Sequence, residues 1–447
     1  MTENKDSDDI AFHQLKQLER ILECDPLINE VGFIHPSQFA ALDDEIVGSD
    51  KSVAHSIPQS VDEFISTNLD ANDLQHDSSI FWIRDHKLAI STEALFHLYN
   101  AAKHAFMAAL TQQKMVDSLC RKTDKSLNKK VTDDNTGPDI FLESEVMNHS
   151  KALLLLSCDN GTAWNSRKLI CSKKQCLSLL MDELLFSALI LSYAPKSESA
   201  WSHRRWVIKA IDGKYPKFED VVERESELVE KIAERSKMNY RAWNHRCWLI
   251  TYMTKEQVIN QLQNSRKWAE LHVGDSSCFH YRQLLLQRML KHCSRFDVYH
   301  VRKEELEWNE MLIKRYIGRE ALWVHRRFLS QLGSRPFRSE AEKEPYVVSN
   351  QDNINMNNFI SSEMQLLHSC LSISDNDFED IQSQGVFAAS YILWMFKFFN
   401  LRQQLHNSQL TVLEDMPRVM GELKMALNKL CPEKTLLWED QVISRIM

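Results

Sequence analysis

Glycine and proline are scarce in this chain, 10 of each in 447 residues, against an average usage of about 7% and about 5%. So few backbone breakers exclude a fold of short strands and tight turns, and long stretches of helical period fill the intervals between them. No run of 18 or more apolar residues occurs, which leaves no candidate for a membrane-spanning helix, and the opening MTENKDSDDI lacks the apolar core of a signal peptide. The 10 cysteines include no C-x-x-C pair. Neither a metal site nor a disulfide framework is therefore expected, and the thiols read as free, several on apolar helix faces. Basic charge is short as well: 54 Lys and Arg against 62 Asp and Glu give a formal net charge of −8, which argues against non-specific attraction to nucleic acid or an anionic membrane. A cytoplasmic, helix-dominated protein is expected.

What the chain does contain is a repeat. GTAWNSRKLI, ESAWSHRRWVI, NYRAWNHRCWLI, SSCFHYRQLLL and EALWVHRRFL align on Trp164, Trp201, Trp243, Phe279 and Trp323. A weaker copy follows at Phe387, and a seventh is suggested at Trp438. A period in the high thirties to mid-forties marks an α-helical solenoid. Each aromatic is preceded by a second helical stretch, as in LLMDELLFSALILSYAPK and EDVVERESELVEKIAERS, so the unit is a helical hairpin, its first helix mostly amphipathic and its second more apolar. Four residues before the aromatic stand Asn160, Ser197, Asn239, Asp275 and Ser383, with Arg319 the exception. Such side chains accept hydrogen bonds from the free amides of a first helical turn.

The expected organisation is an N-terminal extension over 1–90 followed by a repeat domain over 91–447. The extension carries a short helix around IAFHQLKQLERILEC and a possible strand at SIFWIRDHKLAI, and polar insertions fall at 120–139 and 334–358.

Stepping 100° per residue from the aromatic puts the third following residue inside the buried arc. Arg167, Arg204, Arg246, Arg282 and Arg326 all occupy it. A buried guanidinium needs acceptors, either a carboxylate or the open carbonyls of a neighbouring helix, which reads as a clip from one hairpin to the next. His203, His245 and His325, one residue earlier, read first as core histidines with a satisfied nitrogen. No paired carboxylates, glycine-rich phosphate loop or nucleophile motif accompanies them.

The form (N/S)-x-x-A-W-x-H-R-x-W-(V/L)-(I/L) at this spacing resembles the α subunits of protein prenyltransferases. DNGTAWNSRKLI, NSRKWAELHVGDSSCFHYRQLLL and LINEVGFIHP sharpen the resemblance. It implies an all-α, right-handed solenoid, a tetratricopeptide-like crescent that wraps a β subunit holding the catalytic zinc and the geranylgeranyl diphosphate pocket. The implied activity is that of the α subunit of a type III-like protein geranylgeranyltransferase, inactive alone. Its implied partner is the β subunit of the Rab enzyme, and its implied substrates are proteins with C-terminal cysteines such as a SNARE. Family α subunits often carry a basic residue just before the Asn-Tyr of a central repeat, facing the isoprenoid diphosphate. Here that position is Met238, with Lys237 one residue earlier, while Lys196 holds the matching place in the preceding repeat and Tyr240 matches a tyrosine facing the substrate cleft. Lys196, Lys237 and Tyr240 are thus the diphosphate- or substrate-facing candidates. His203, Arg204, His245, Arg246, Tyr281, Arg282, His325 and Arg326 form a motif that is either structural or partner-facing. The competing reading is a non-catalytic helical scaffold that binds a partner for assembly only.

Overall fold

The computed structural model describes residues 2–39, 41, 80–124, 138–291, 295–332, 350–371, 379–406, 416–430 and 432. Trp438 and the larger parts of the segments 120–139 and 334–358 lie outside the described residues. The fold is an all-α repeat of helical hairpins with one small sheet, and it divides into two compact units, Met1–His245 and Arg246–Met447.

The first unit opens with α1 (Thr2–Cys24), then β1 (Glu30–Ile34), β2 (Phe81–Arg84) and β3 (Lys87–Ser91). The strands lie in the order β1-β3-β2, with β1 parallel to β3 (Glu30 opposite Lys87) and β2 antiparallel to it. Asp85 and His86 join β2 to β3 at φ 48 and 60, the left-handed pair that a two-residue hairpin turn requires. Phe33 of β1 packs edge-on against Tyr193 at 5.3 Å, so the sheet is seated on the helices. These continue as α2 (Leu95–Asp124), α3 (Pro138–Leu156), α4 (Gly161–Lys174), α5 (Leu177–Tyr193), α6 (Glu198–Ile211), α7 (Phe218–Arg235) and the start of α8 (Tyr240–Leu249). Their core runs from Leu15 and Leu18 of α1 through Leu98 and Phe106 to Trp164, Trp201 and Ala242, all buried.

The second unit contains α9 (Lys255–Leu271), α10 (Ser276–Leu290), α11 (Arg295–Arg315), α12 (Glu320–Leu332), α13 (Asn350–Leu371), α14 (Glu379–His406) and α15 (Met416–Leu430).

Local chemistry fixes where the second helix of each hairpin begins. The side chains of Asn160, Ser197 and Asn239 accept from the amides of Ala163, Ala200 and Ala242 at 3.0, 3.2 and 3.1 Å, and Asp275 accepts from Ser277 at 2.9 Å. Each such cap contributes about 1 kcal/mol. The tryptophan indoles tie down the same turns: Trp164 donates to the Cys158 carbonyl at 2.8 Å and Trp201 to that of Pro195 at 3.0 Å.

The sixth repeat departs from the sequence register. Ser383 caps nothing, because α14 already starts at Glu379 and a residue inside a helix has no free amide three positions ahead. Phe387 is not the equivalent of Trp323 either. Trp323 packs on Tyr391 at 5.7 Å, as Trp164 packs on His203 at 4.4 Å and Trp201 on His245 at 4.8 Å. Tyr391 therefore takes the histidine place, and Ala389, two residues before it, takes that of the aromatic.

Candidate functional site

The five arginines are buried and make one recurring set of bonds. Arg204 of α6 donates through Nε to Glu225 Oε2 of α7 at 2.6 Å and through Nη2 to Glu225 Oε1, while Nη1 reaches back to the Leu184 carbonyl at 2.5 Å and Ser187 Oγ at 2.9 Å. Arg167 treats Glu183, the Met147 carbonyl and Ser150 in the same way. Arg282 does so with Glu305, the Leu262 carbonyl and Ser265, and Arg326 with Glu363, the Leu306 carbonyl and Asn309. In the third repeat Arg246 donates to Gln261 at 2.9 Å and stacks on the Tyr281 ring at 4.8 Å. Each guanidinium thus clips its own hairpin to the next, with the forked geometry that favours arginine over lysine.

The acceptor is shared. Glu183 also accepts from His203 Nε2 at 2.8 Å and Glu225 from His245 Nε2 at 3.2 Å. Gln261 accepts from the Tyr281 hydroxyl at 3.1 Å and Glu363 from that of Tyr391 at 2.8 Å. His325 Nε2 lies 3.8 Å from Glu305. The result is five buried rungs, each made of an arginine, an acid or amide on the following helix, and the histidine or tyrosine of the following repeat.

Burial by itself would raise the Glu183, Glu225 and Glu305 carboxyls, yet the adjoining guanidinium and imidazole hold each at about 2. Burial dominates at His203, His245 and His325 and moves them below the usual histidine value despite the glutamate beside each. The rungs of Glu183, Glu225 and Glu305 therefore contain a charged Arg–Glu pair and a neutral imidazole at neutral pH. His203, Arg204, His245, Arg246, Tyr281, Arg282, His325 and Arg326 are all buried within this chain. The acceptors Glu183, Glu225, Gln261, Glu305 and Glu363 are the residues that sequence reasoning missed. The signal is a separation of 20 residues from the histidine or tyrosine at Glu183, Glu225 and Gln261, which becomes 28 at Glu363.

Lys196 and Lys237 lie elsewhere, on the turns that precede α6 and α8, and Tyr240 is the first residue of α8. All three are exposed, Tyr240 by 68%. The turns are joined from beneath: Asn239, buried, donates from Nδ2 to the Pro195 carbonyl at 2.8 Å while its Oδ1 caps α8. The structure thus brings the Lys196 turn against the Lys237 and Tyr240 turn. Met238 between them takes φ 55 and is 68% exposed. Around them Glu198 binds Arg241 at 2.6 Å and Arg205 at 3.3 Å. Among the described residues no group of three or more His, Cys, Asp or Glu side chains is placed to hold a metal ion, and no helix is long and apolar enough to cross a membrane.

The model of the protein prenyltransferase alpha subunit repeat matches residues 180–211, 222–253 and 260–289 of this chain. Over those residues the chain is similar to protein prenyltransferase alpha subunit repeats. It is 31% identical over 240 residues to the human Protein prenyltransferase alpha subunit repeat-containing protein 1, across 42% of this chain and 59% of that protein. It is 30% identical over 239 residues to the Xenopus laevis protein 1-B of the same name, across 42% and 55%. The Geranylgeranyl transferase type-2 subunit alpha of Saccharomyces cerevisiae is 25% identical over 192 residues, across 41% and 57%. The chain thus spans less than two thirds of the length of each of these relatives.

Proposed function

We propose that this chain is the α subunit of a heterodimeric, type III-like protein geranylgeranyltransferase of the cytoplasm. It supports a catalytic β subunit, that of the Rab enzyme, in attaching a geranylgeranyl group to cysteines near the C-termini of proteins such as a SNARE. The observation that carries this reading is the pair of joined turns at 194–198 and 236–240. They lie within two of the matched repeats and present Lys196, Lys237 and Tyr240 outward while every rung residue faces inward. The lysines suit a departing diphosphate, where a cation matters most as negative charge develops. Zinc has no fitting cluster among the described residues, and in this reading it and the isoprenoid pocket belong to the β chain.

The test is co-expression with that β subunit, followed by transfer of radiolabelled geranylgeranyl from its diphosphate to a protein ending in cysteines. Lys196→Ala, Lys237→Ala and Tyr240→Phe are expected to keep the helical content and the heterodimer while slowing transfer about 10- to 100-fold, the worth of one charge-assisted contact. Full rates in all three at saturating donor would remove them from the site. One observation favours the scaffold reading: the place of the family's basic residue holds the uncharged Met238. A stable complex that transfers to no acceptor would establish that reading instead.

A further inference from the structure

Arg302 of α11 stands apart from the rung arginines. It is only 9% exposed. Its Nε donates to the Leu329 carbonyl near the end of α12 at 3.0 Å, and the guanidinium carbon lies over the Phe359 ring of α13 at 4.3 Å. Its Nη2, buried with the rest, has no hydrogen-bond partner among the described residues. Arg326 shows the contrast, placing Nε and Nη2 on the two oxygens of one carboxylate, Glu363, at 2.6 and 2.8 Å.

The charge of Arg302 is met no better than its donor. Glu363 lies one turn along α13 from Phe359, but Arg326 takes both of its oxygens and the Tyr391 hydroxyl shares one of them at 2.8 Å. Lys303, next in the chain, adds a cation and pairs with Glu307 at 3.9 Å. Burial dominates and moves the guanidinium below the ordinary arginine value, by more than Tyr391 and Glu363 restore. Water answers a buried donor but not a buried charge, which is costly until a counter-charge arrives. Arg302 also stands away from the turn that follows α11, since 13 residues separate it from Arg315 at the helix end (315 − 302), about 20 Å at 1.5 Å per residue.

We infer that Arg302, stacked on Phe359, forms a binding site for one carboxylate or phosphate group of a small molecule, between α11, α12 and α13. The bond to Leu329 and the ring of Phe359 fix the guanidinium from two sides. What remains is a planar edge of N–H donors, which matches two oxygens of an oxyanion in a way that the point charge of lysine does not. Tyr299, one turn earlier on the same face of α11, is 49% exposed and close enough to act on the Arg302 charge, so the site has a route to solvent. Its narrowness favours a single group over a peptide surface. The inference is independent of the proposed α-subunit role.

Thermal melts of the full-length chain, titrated with sodium phosphate, acetate or chloride at equal ionic strength and neutral pH, test the site. A ligand bound only by the folded state raises the melting temperature, so the parent is expected to gain about 2 °C or more, saturably, in phosphate or acetate and not in chloride. The salt with the larger gain tells a phosphate site from a carboxylate site. Arg302→Gln keeps a donor for the Leu329 carbonyl while losing the charge and the fork. Its affinity for the preferred oxyanion, read from the midpoint of the same titration, is expected to be at least about tenfold weaker, the worth of a charge-assisted contact. Arg302→Lys keeps the charge without the fork and should titrate between the two. A parent that gains no more in phosphate or acetate than in chloride overturns the site, and so does an Arg302→Gln titration equal to the parent's. If Arg302→Gln does not fold, Arg302→Lys decides alone: equality with the parent overturns the site, and a weaker midpoint supports it.

Discussion

Glu225→Gln removes one negative charge and one acceptor from the middle of a rung, and its cost can be worked from the structure. The side chain is 2% exposed and accepts from Arg204 Nε and Nη2 and from His245 Nε2. Glutamine keeps one oxygen. Its amide group must face either a guanidinium N–H or the imidazole N–H, donor against donor, and Arg204 is left buried beside a neutral group. The carboxyl is held at about 2 against an ordinary 4.5, which at 1.36 kcal/mol per unit corresponds to about 3 kcal/mol of preference for the charged form. Breaking one side of a buried ion pair costs about 3–5 kcal/mol in general. The two routes agree, and a loss of about 3 kcal/mol is expected. Urea unfolding followed by far-ultraviolet circular dichroism at neutral pH measures it. Arg204→Met, made singly and together with Glu225→Gln, completes a cycle in which the double variant loses less than the sum, since no charge is then stranded. A Glu225→Gln protein within about 0.5 kcal/mol of the parent, the range of an ordinary surface change, would refute the rung as an energetic unit.

The burial of the arginines was legible in the sequence, because a helical wheel places them beside the aromatic. Their acceptors were not. From arginine to acid the interval is 16 residues at Arg167, 21 at Arg204, 15 at Arg246 and 37 at Arg326, since it crosses a loop of variable length. The constant interval runs from the acid to the histidine within one hairpin, and an alignment made on the second helices alone does not include the acid. Tyrosine replaces histidine beside both an amide, Gln261 with Tyr281, and an acid, Glu363 with Tyr391, so the pairing follows no single residue code. The helix starts at Asn160, Ser197 and Asn239 were legible because a cap acts on its own neighbours. Ser383 misled because its helix begins upstream, and Phe387 misled because an aromatic two residues out of phase looks the same in a string. Strands at 81–91 could be read from alternation, but not the parallel partner Glu30–Ile34, whose pairing to β3 leaves no local mark. Lys196, Lys237 and Tyr240 were picked by resemblance, and the hydrogen bond from Asn239 that joins their turns could come only from coordinates.

Three further perturbations probe the same frame. Gly318→Ala should destabilise by about 1–3 kcal/mol, because φ is +73 and the new Cβ would sit 2.8 Å from the Asp380 carbonyl oxygen; a thermal melt equal to that of the parent would contradict the turn geometry. Acid should unfold the chain in two stages. The three rung histidines have folded values below 6.5, so their contribution is complete above that pH and erodes below it, and the rung glutamates held at about 2 add a second loss as pH falls from 4.5 toward 2. Stability flat from neutral pH down to the glutamate range would rule out the neutral imidazoles. The last test is at the start of the ladder. Arg167 begins it by bonding the Met147 carbonyl and Ser150, and the residue 20 before Ser166, where the other repeats place an acid or amide, is Val146. Val146 is fully buried in the apolar core, and Ser166, standing where the others have histidine or tyrosine, donates to its own helix at Thr162. Ile392 after Tyr391, 1% exposed, ends the other side in the same way, an apolar residue in the arginine place. Val146→Glu therefore introduces the very residue type that stabilises later repeats into a place with no rung to receive it. The expected loss is about 3–5 kcal/mol at neutral pH, the cost of a buried charge without its partner. The pH dependence of that loss has the opposite sign to that of a rung glutamate: an unpaired buried carboxyl has its folded pKa raised, so the penalty shrinks as acid protonates it. Urea unfolding of parent and variant across the acid range decides the matter, and a Val146→Glu chain as stable as the parent at neutral pH would mean that the ladder does not begin at Arg167.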